Sequence, residues 1–327
     1  MGDVPNRVGA SRAAGSTAFE GRALVREAGG LALRARPVPV ELGEGEALVR
    51  VAFAGVCRTD VYAAEGRIPV APGRVLGHEF SGRVVAVGAE VRGVQADQAV
   101  TADPRLPCGA CGGCASGVAC GRPRFLGLDV DGAFGPWVRL PARALVPLPP
   151  GLDLRVGAYV EPVAATLAVL HTGIERRERG VVYGAGRIAV LALDVLRAHG
   201  FERVELRDPA GEALEVDAYD FAVEAGLSAE GLRALVGALR PRGRLVLKSR
   251  LVDPLPVDFG ALVRKELSLV AANYGSFADA VALLAGGRLD LSRRFAAPRP
   301  LADFASVFAQ EGQGGERKAM FHLEREG

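Results

Sequence analysis

The 327-residue chain is 49% hydrophobic and 24% charged, the balance of a folded globular protein, which excludes wholesale disorder. Its formal net charge is +2 with arginines scattered along its length, so neither nucleic acid nor a membrane surface is indicated as a partner. The length suffices for two domains, each with its own core. No run of 18 apolar residues and no N-terminal secretion pattern is found. Four of the five cysteines lie between positions 108 and 120, a clustering that points to metal in a reducing cytoplasm rather than to disulfides.

Residues 1–18 are small and polar without periodicity and read as a loose N-terminal extension. From Glu20 to Phe53, and onward to Pro150, short β-branched runs alternate with Gly and Pro, which predicts a β-rich, barrel-like domain. Cys57 and His78 carry ligand types that zinc prefers, and each lies near a glycine that lets backbone approach a buried site. The run Gly82–Gly88 reads as a buried strand that fixes His78. Catalytic zinc takes about three protein ligands and an open position. Glu79 or a later carboxylate must therefore join Cys57 and His78. The plain alternative is a core cysteine and a histidine satisfied by a carbonyl. Phe134 and Trp137 read as core residues, or as the wall of a substrate pocket.

Cys108, Cys111, Cys114 and Cys120 follow a Cys-x2-Cys-x2-Cys-x5-Cys pattern in a glycine-containing loop. Four thiolates form the closed shell of structural zinc, and an iron–sulfur cluster uses similar spacing. Glu161 directly precedes Pro162, where the backbone is expected to be extended with a helix about to begin. A carboxylate there either ligates a metal or simply favours the helix N-terminus.

Gly180–Ala189 reads as a strand, a Gly184-x-Gly186 turn and the start of a helix, with Ala189 in the third glycine position. Such a turn brings a pyrophosphate to free N–H groups at a helix N-terminus. Arg187 beside it adds attraction, weakened by solvent. A strand over Arg203–Leu206 leads to Asp208, placed to accept from the adenosine ribose hydroxyls, which favours NAD over NADP. Between Asp208 and the next strand at Asp220 there is no room for both a helix and a strand. A trimmed sheet of about five strands, lacking edge strand 3, is expected, with altered dinucleotide affinity. Helices over Leu232–Leu239 and Ala278–Gly286 and strands over Arg244–Lys248 and Leu267–Ala272 follow, and the end of the chain returns to the first domain. The limits expected are 19–157 with 274–327 for the zinc half and 158–273 for the nucleotide half.

Cys57-x-Thr59-Asp60 followed by Gly77-His78-Glu79-x-x-Gly82-x-Val84 resembles the zinc-ligand region of the medium-chain, zinc-dependent alcohol dehydrogenase family. The four-cysteine loop resembles its structural-zinc lobe, with a last gap of five residues where seven is usual. Glu161-Pro162-x-Ala164 resembles the ligand segment of the polyol, sugar and butanediol branch. The resemblance implies an α/β protein, a GroES-like β-rich catalytic domain plus a doubly wound Rossmann domain. It implies catalytic zinc on Cys57, His78 and Glu161, with Glu79 a direct ligand or just behind one. It implies cofactor contacts from Arg58, Gly184, Gly186, Arg187, Ile188, Ala189 and Asp208, and a homodimer or homotetramer. The implied chemistry is hydride transfer between NAD(H) and a secondary alcohol, polyol or sugar-like substrate. Thr59 passes the proton outward toward a site where Tyr62 replaces the usual histidine. Two other readings stand beside it: a biosynthetic carbonyl reductase, and a non-redox zinc protein with a degenerate nucleotide domain.

Overall fold

The computed structural model describes residues 18–116, 120–315 and 317–323. The expected extension at 1–18 therefore lies outside the described residues except for Ala18, which pairs with Pro39 in a two-residue strand.

The strand Glu46–Gly55 is apolar on both faces, and most of its residues are buried. That is the signature of a central strand. It pairs antiparallel with Glu79–Val87 on one side and with Trp137–Pro141 on the other. The sheet continues through Ala99–Ala102 to Leu145–Pro147. Met320–His322 adds itself to the Gly55 end of the same strand, so the C-terminus does return to the first half as expected. A separate three-stranded sheet, built on the hairpin Arg22–Glu27 and Gly30–Ala35, closes over one side. Phe134, Phe308 and Phe321 meet edge to face inside this half, which settles Phe134 as core. Trp137 is half-buried and packs on Phe19.

The second half is a five-stranded parallel sheet in the order Val204–Arg207, Gly180–Tyr183, Tyr219–Glu224, Leu239–Leu247, Ser268–Ala271. Gly180–Tyr183 is buried throughout, as a strand covered on both faces must be. The helix Arg187–Ala198 buries Leu191, Val195 and Leu196 along one stripe. Between Arg207 and Tyr219 there is neither helix nor strand, so Val204–Arg207 is the sheet edge and the trimmed topology is confirmed.

The helix Val160–Leu167 joins the halves. Every residue in it is buried, and it packs with Phe277, Leu191 and Met320 in one apolar cluster. Among the described residues no helix is long and apolar enough to cross a membrane.

Candidate zinc and substrate site

Cys57 caps the short helix Arg58–Ala64, and its amide donates to Asp60 Oδ2 at 2.9 Å. The other oxygen of Asp60 accepts from the Gly77 amide at 3.2 Å and stands 3.4 Å from His78 Nδ1. One buried carboxylate thus holds both ends of the ligand pair in place. Gly77 has a φ of 98°, and a Cβ there would come within 2.6 Å of the Phe134 ring, so the residue before His78 must be glycine. The central-sheet strand begins at Glu79 itself and fixes both Glu79 and the preceding His78.

One ligand atom from each of Cys57, His78 and Glu79 lies within 4.8 Å of the others. His78 is 1% exposed, yet neither ring nitrogen has a well-formed hydrogen bond. Buried imidazoles are rarely left so. With Asp60 beside Nδ1, Nε2 is the atom free for a metal, the arrangement in which a carboxylate orients a ligating histidine. Burial alone would keep the ring neutral, but Asp60 and then Cys57 raise its pKa well above the usual value.

Glu161 stands just outside that trio. Its Oε1 accepts from the Tyr274 hydroxyl. Burial, then the charge of Glu79, push its carboxyl above the usual range. Its backbone differs from the sequence reading. Glu161 lies inside the first turn of Val160–Leu167 rather than in an extended segment before it. Pro162 is tolerated one position later because first-turn residues need no N–H partner. Lys318 balances part of the negative charge. It is 4% exposed, pairs with Glu79, and donates to the Val56 carbonyl at 2.8 Å. A thiol and two carboxylates converging in a buried pocket with one lysine are a donor set suited to a divalent cation. Thr59 is buried two residues after Cys57, and Tyr62 lies half-buried beneath Arg67, whose guanidinium is 4.4 Å from its ring.

In the four-cysteine loop, Cys111 Sγ lies 3.5 Å from Cys114 Sγ and 3.8 Å from Cys120 Sγ, and Cys108 and Cys114 are 3.9 Å apart. Four sulfurs on a shell of about 2.3 Å around zinc would stand about 3.8 Å from one another. The shortened last gap therefore still brings Cys120 as close to Cys111 as such a shell would require. Backbone N–H groups of Cys114 and Gly121 draw the Cys111 thiol down to about 6. Despite the Gly109 N–H, burial and the neighbouring sulfurs push Cys114 up to about 11, as close thiols cannot all ionise without a cation among them.

At the nucleotide end, Gly184 has a φ of 152°, and a Cβ there would meet the Ala225 carbonyl at 2.9 Å. Ala185, Gly186 and Ile188 are exposed, Ala189 is buried beneath them, and Asp208 is exposed just past the edge strand. Arg187 is not solvent-weakened as expected. Its guanidinium forks onto Glu311, which is 3% exposed, and also donates to the Gly315 carbonyl at 2.8 Å. Arg58 is exposed and donates to the Gly312 carbonyl at 2.7 Å. Sequence reasoning missed Lys318, Tyr274 and Glu311, which approach from distant segments, and gave no role to Asp60, although it stood within the quoted motif.

Residues 43–150 match the family model of the alcohol dehydrogenase GroES-like domain. The chain is 30% identical over 316 residues to 2-dehydro-3-deoxy-L-galactonate 5-dehydrogenase of Pseudoalteromonas atlantica, covering 86% of this chain and 93% of that one. It is 28% identical to sorbitol dehydrogenase of Halalkalibacterium halodurans, over 77% of this chain and 82% of that protein. A solved structure of a protein described as a zinc-binding dehydrogenase from Sinorhizobium meliloti, bound to NADP, is similar with a TM-score of 0.83. Its identity is 26%, over 93% of this chain and 99% of that one. Fold, site and relatives together define an oxidoreductase of the zinc-binding, alcohol–ketone type. The chain belongs to the medium-chain zinc-dependent alcohol dehydrogenase family.

Proposed function

We propose that the protein is a zinc-dependent, NAD-linked dehydrogenase that interconverts a secondary alcohol and its ketone on a polyol or sugar-like substrate. The observation that carries this reading is the convergence of Cys57, His78 and Glu79, with Glu161 beside them. Zinc held there supplies a Lewis acid that makes the substrate hydroxyl more acidic, and a nicotinamide supplies the hydride acceptor.

The chain's own residues do the rest. Asp60 orients His78, Lys318 fixes Glu79, and Tyr274 steadies Glu161. Thr59 passes the hydroxyl proton outward. With Tyr62 packed under Arg67, water or the cofactor ribose receives that proton. A nicotinamide bound at the glycine turn would accept the carbinol C–H as hydride while the carbinol O–H proton leaves through Thr59, which balances alcohol and oxidised cofactor against ketone, reduced cofactor and a proton. Gly184, Gly186, Arg58, Ile188 and Ala189 are the proposed dinucleotide contacts, and Asp208 supports NAD over NADP. Four clustered thiols favour structural zinc and a reducing cytoplasm. The edge strand Ser268–Ala271 and nearby Phe259 (72% exposed) and Val263 (74%) present an apolar face suited to a homodimer or homotetramer.

The test is a screen of alcohols with NAD and with NADP, following reduced nicotinamide, with and without a zinc chelator. Zinc-dependent turnover supports the reading, and a fully zinc-loaded protein with no turnover and no nucleotide binding overturns it. One observation favours a second reading, a non-redox zinc protein. The element missing between Arg207 and Tyr219 removes a wall of the adenosine site. Micromolar NADH binding would dismiss that alternative.

A further inference from the structure

Two cations leave the C-terminal end of the strand Leu239–Leu247, the end at which parallel sheets bind ligands. Neither Lys248 nor Arg250 has a carboxylate partner among the described residues. Lys248 Nζ donates to the Asn273 carbonyl at 3.3 Å, and Arg250 Nη2 to Asn273 Oδ1 at 2.7 Å. A guanidinium has five N–H groups, and even with the Tyr274 hydroxyl beside a second one, most of the fork remains free. The segment is rigidly placed. Glu224, 1% exposed, accepts from the amides of Lys248 and Ser249, each at 2.7 Å.

Arg250 also faces the chemistry. Its guanidinium carbon is 5.4 Å from the centroid of the Phe125 ring and 5.2 Å from that of Tyr274. Phe125 in turn lies 5.2 Å from the His78 ring, and the Tyr274 hydroxyl bonds Glu161. Two aromatic rings thus connect this cation to two residues of the metal site. A third cation, Arg105, lies over the same Tyr274 ring at 4.7 Å but is neutralised by Asp103 at 2.6 Å. Burial, then the charge of Arg250, lower the Lys248 pKa against the pull of Glu161, Cys57 and Glu224. The dinucleotide phosphates belong at Gly184–Gly186, two strands away in the sheet.

We infer that Lys248 and Arg250 receive a carboxylate carried by the substrate. The substrate class is then a polyhydroxy acid, oxidised at one of its secondary hydroxyls. This rests on the dehydrogenase reading above. A planar guanidinium fork matches a carboxylate edge, and the lysine adds a point charge.

The test compares an aldonate, the alditol of the same configuration and that alditol's phosphate ester, each with NAD and the zinc-loaded full chain. The aldonate is expected to have a kcat/KM about 100-fold above the alditol. R250M should lower kcat/KM for the aldonate about 100-fold, mainly through KM, and by at least tenfold more than for the alditol, with R250K recovering part. Calorimetric titration of the aldonate into zinc-loaded protein without nucleotide should show binding that R250M and K248M weaken. A preference for the alditol or the phosphate ester, or an equal loss on both substrates, overturns the assignment. Arg250-dependent aldonate binding without turnover of any alcohol upholds the subsite while the dehydrogenase reading fails. Turnover of alditols with no aldonate binding overturns the subsite alone.

Discussion

The guanidinium of Arg187 is forked onto the carboxylate of Glu311, with Nη1–Oε1 at 2.9 Å and Nη2–Oε2 at 2.5 Å. Arg187 opens the helix after the glycine turn, while Glu311 lies in the helix Phe304–Gly312 near the end of the chain. The pair therefore fastens the glycine turn of the parallel-sheet half to the half that carries Cys57 and His78. Glu311 Oε1 also accepts from the Ala319 amide at 3.3 Å, next to the Lys318 that holds Glu79.

Removing only the cation leaves a buried carboxylate with the Ala319 amide but no counter-charge, which costs about 3–5 kcal/mol. R187M is expected to lower the melting temperature strongly, and R187M/E311L to recover much of the loss because no buried charge remains. Thermal melts of the three proteins check this; equal melting of R187M and wild type would sink it.

Two zinc atoms per chain are expected by elemental analysis. Cys111→Ser should remove the structural one and lower the melting temperature, because that metal holds a loop with few apolar contacts of its own. Cys57→Ser should remove the catalytic one together with turnover, with little change in the melt. A single zinc in wild type, retained in Cys57→Ser, would contradict the assignment.

Thr59→Ala is expected to lower kcat by about 100-fold, the ordinary scale of an assisted proton transfer, with zinc content unchanged. An unaltered rate would take Thr59 out of the proton path.

Asp131 ties three segments together, reaching Arg36 at 2.8 Å, Arg74 at 3.0 Å and the Val75 amide at 3.2 Å. Partial burial opposes its ionisation, but the hydrogen bond from Arg36 and then the others hold its carboxyl below the usual range. A depressed folded pKa gives stability that is complete above the unfolded value, about 3.9, and is lost as pH falls through the folded one. Asp131→Asn should thus cost about 1 kcal/mol near neutrality, discounted for solvent screening. The cost should fade below about pH 4. Denaturant midpoints at pH 7 and pH 3 measure it; a penalty that persists at pH 3 would contradict the linkage.

Much of the site was legible because its residues sit in short local patterns. Cys57 to Asp60, Gly77 to Glu79 and the four-cysteine loop carry their chemistry in neighbouring positions. The missing edge element was legible from length alone, since eleven residues cannot hold a helix and a strand. The helical backbone at Glu161 was not, because the extended preference before proline is a local tendency. Burial of the whole Val160–Leu167 helix overrides it.

The sequence by itself determined the two-part architecture, the trimmed parallel sheet and the candidate ligand types, since periodicity, glycine turns and thiol spacing are local properties. Only the tertiary structure decided what surrounds those ligands. Lys318 reaches Glu79 from 239 positions away, Tyr274 reaches Glu161 from 113, and Arg187 finds Glu311 across 124. No local pattern records such pairs, because the charge a buried carboxylate needs can come from any strand that the fold brings beside it.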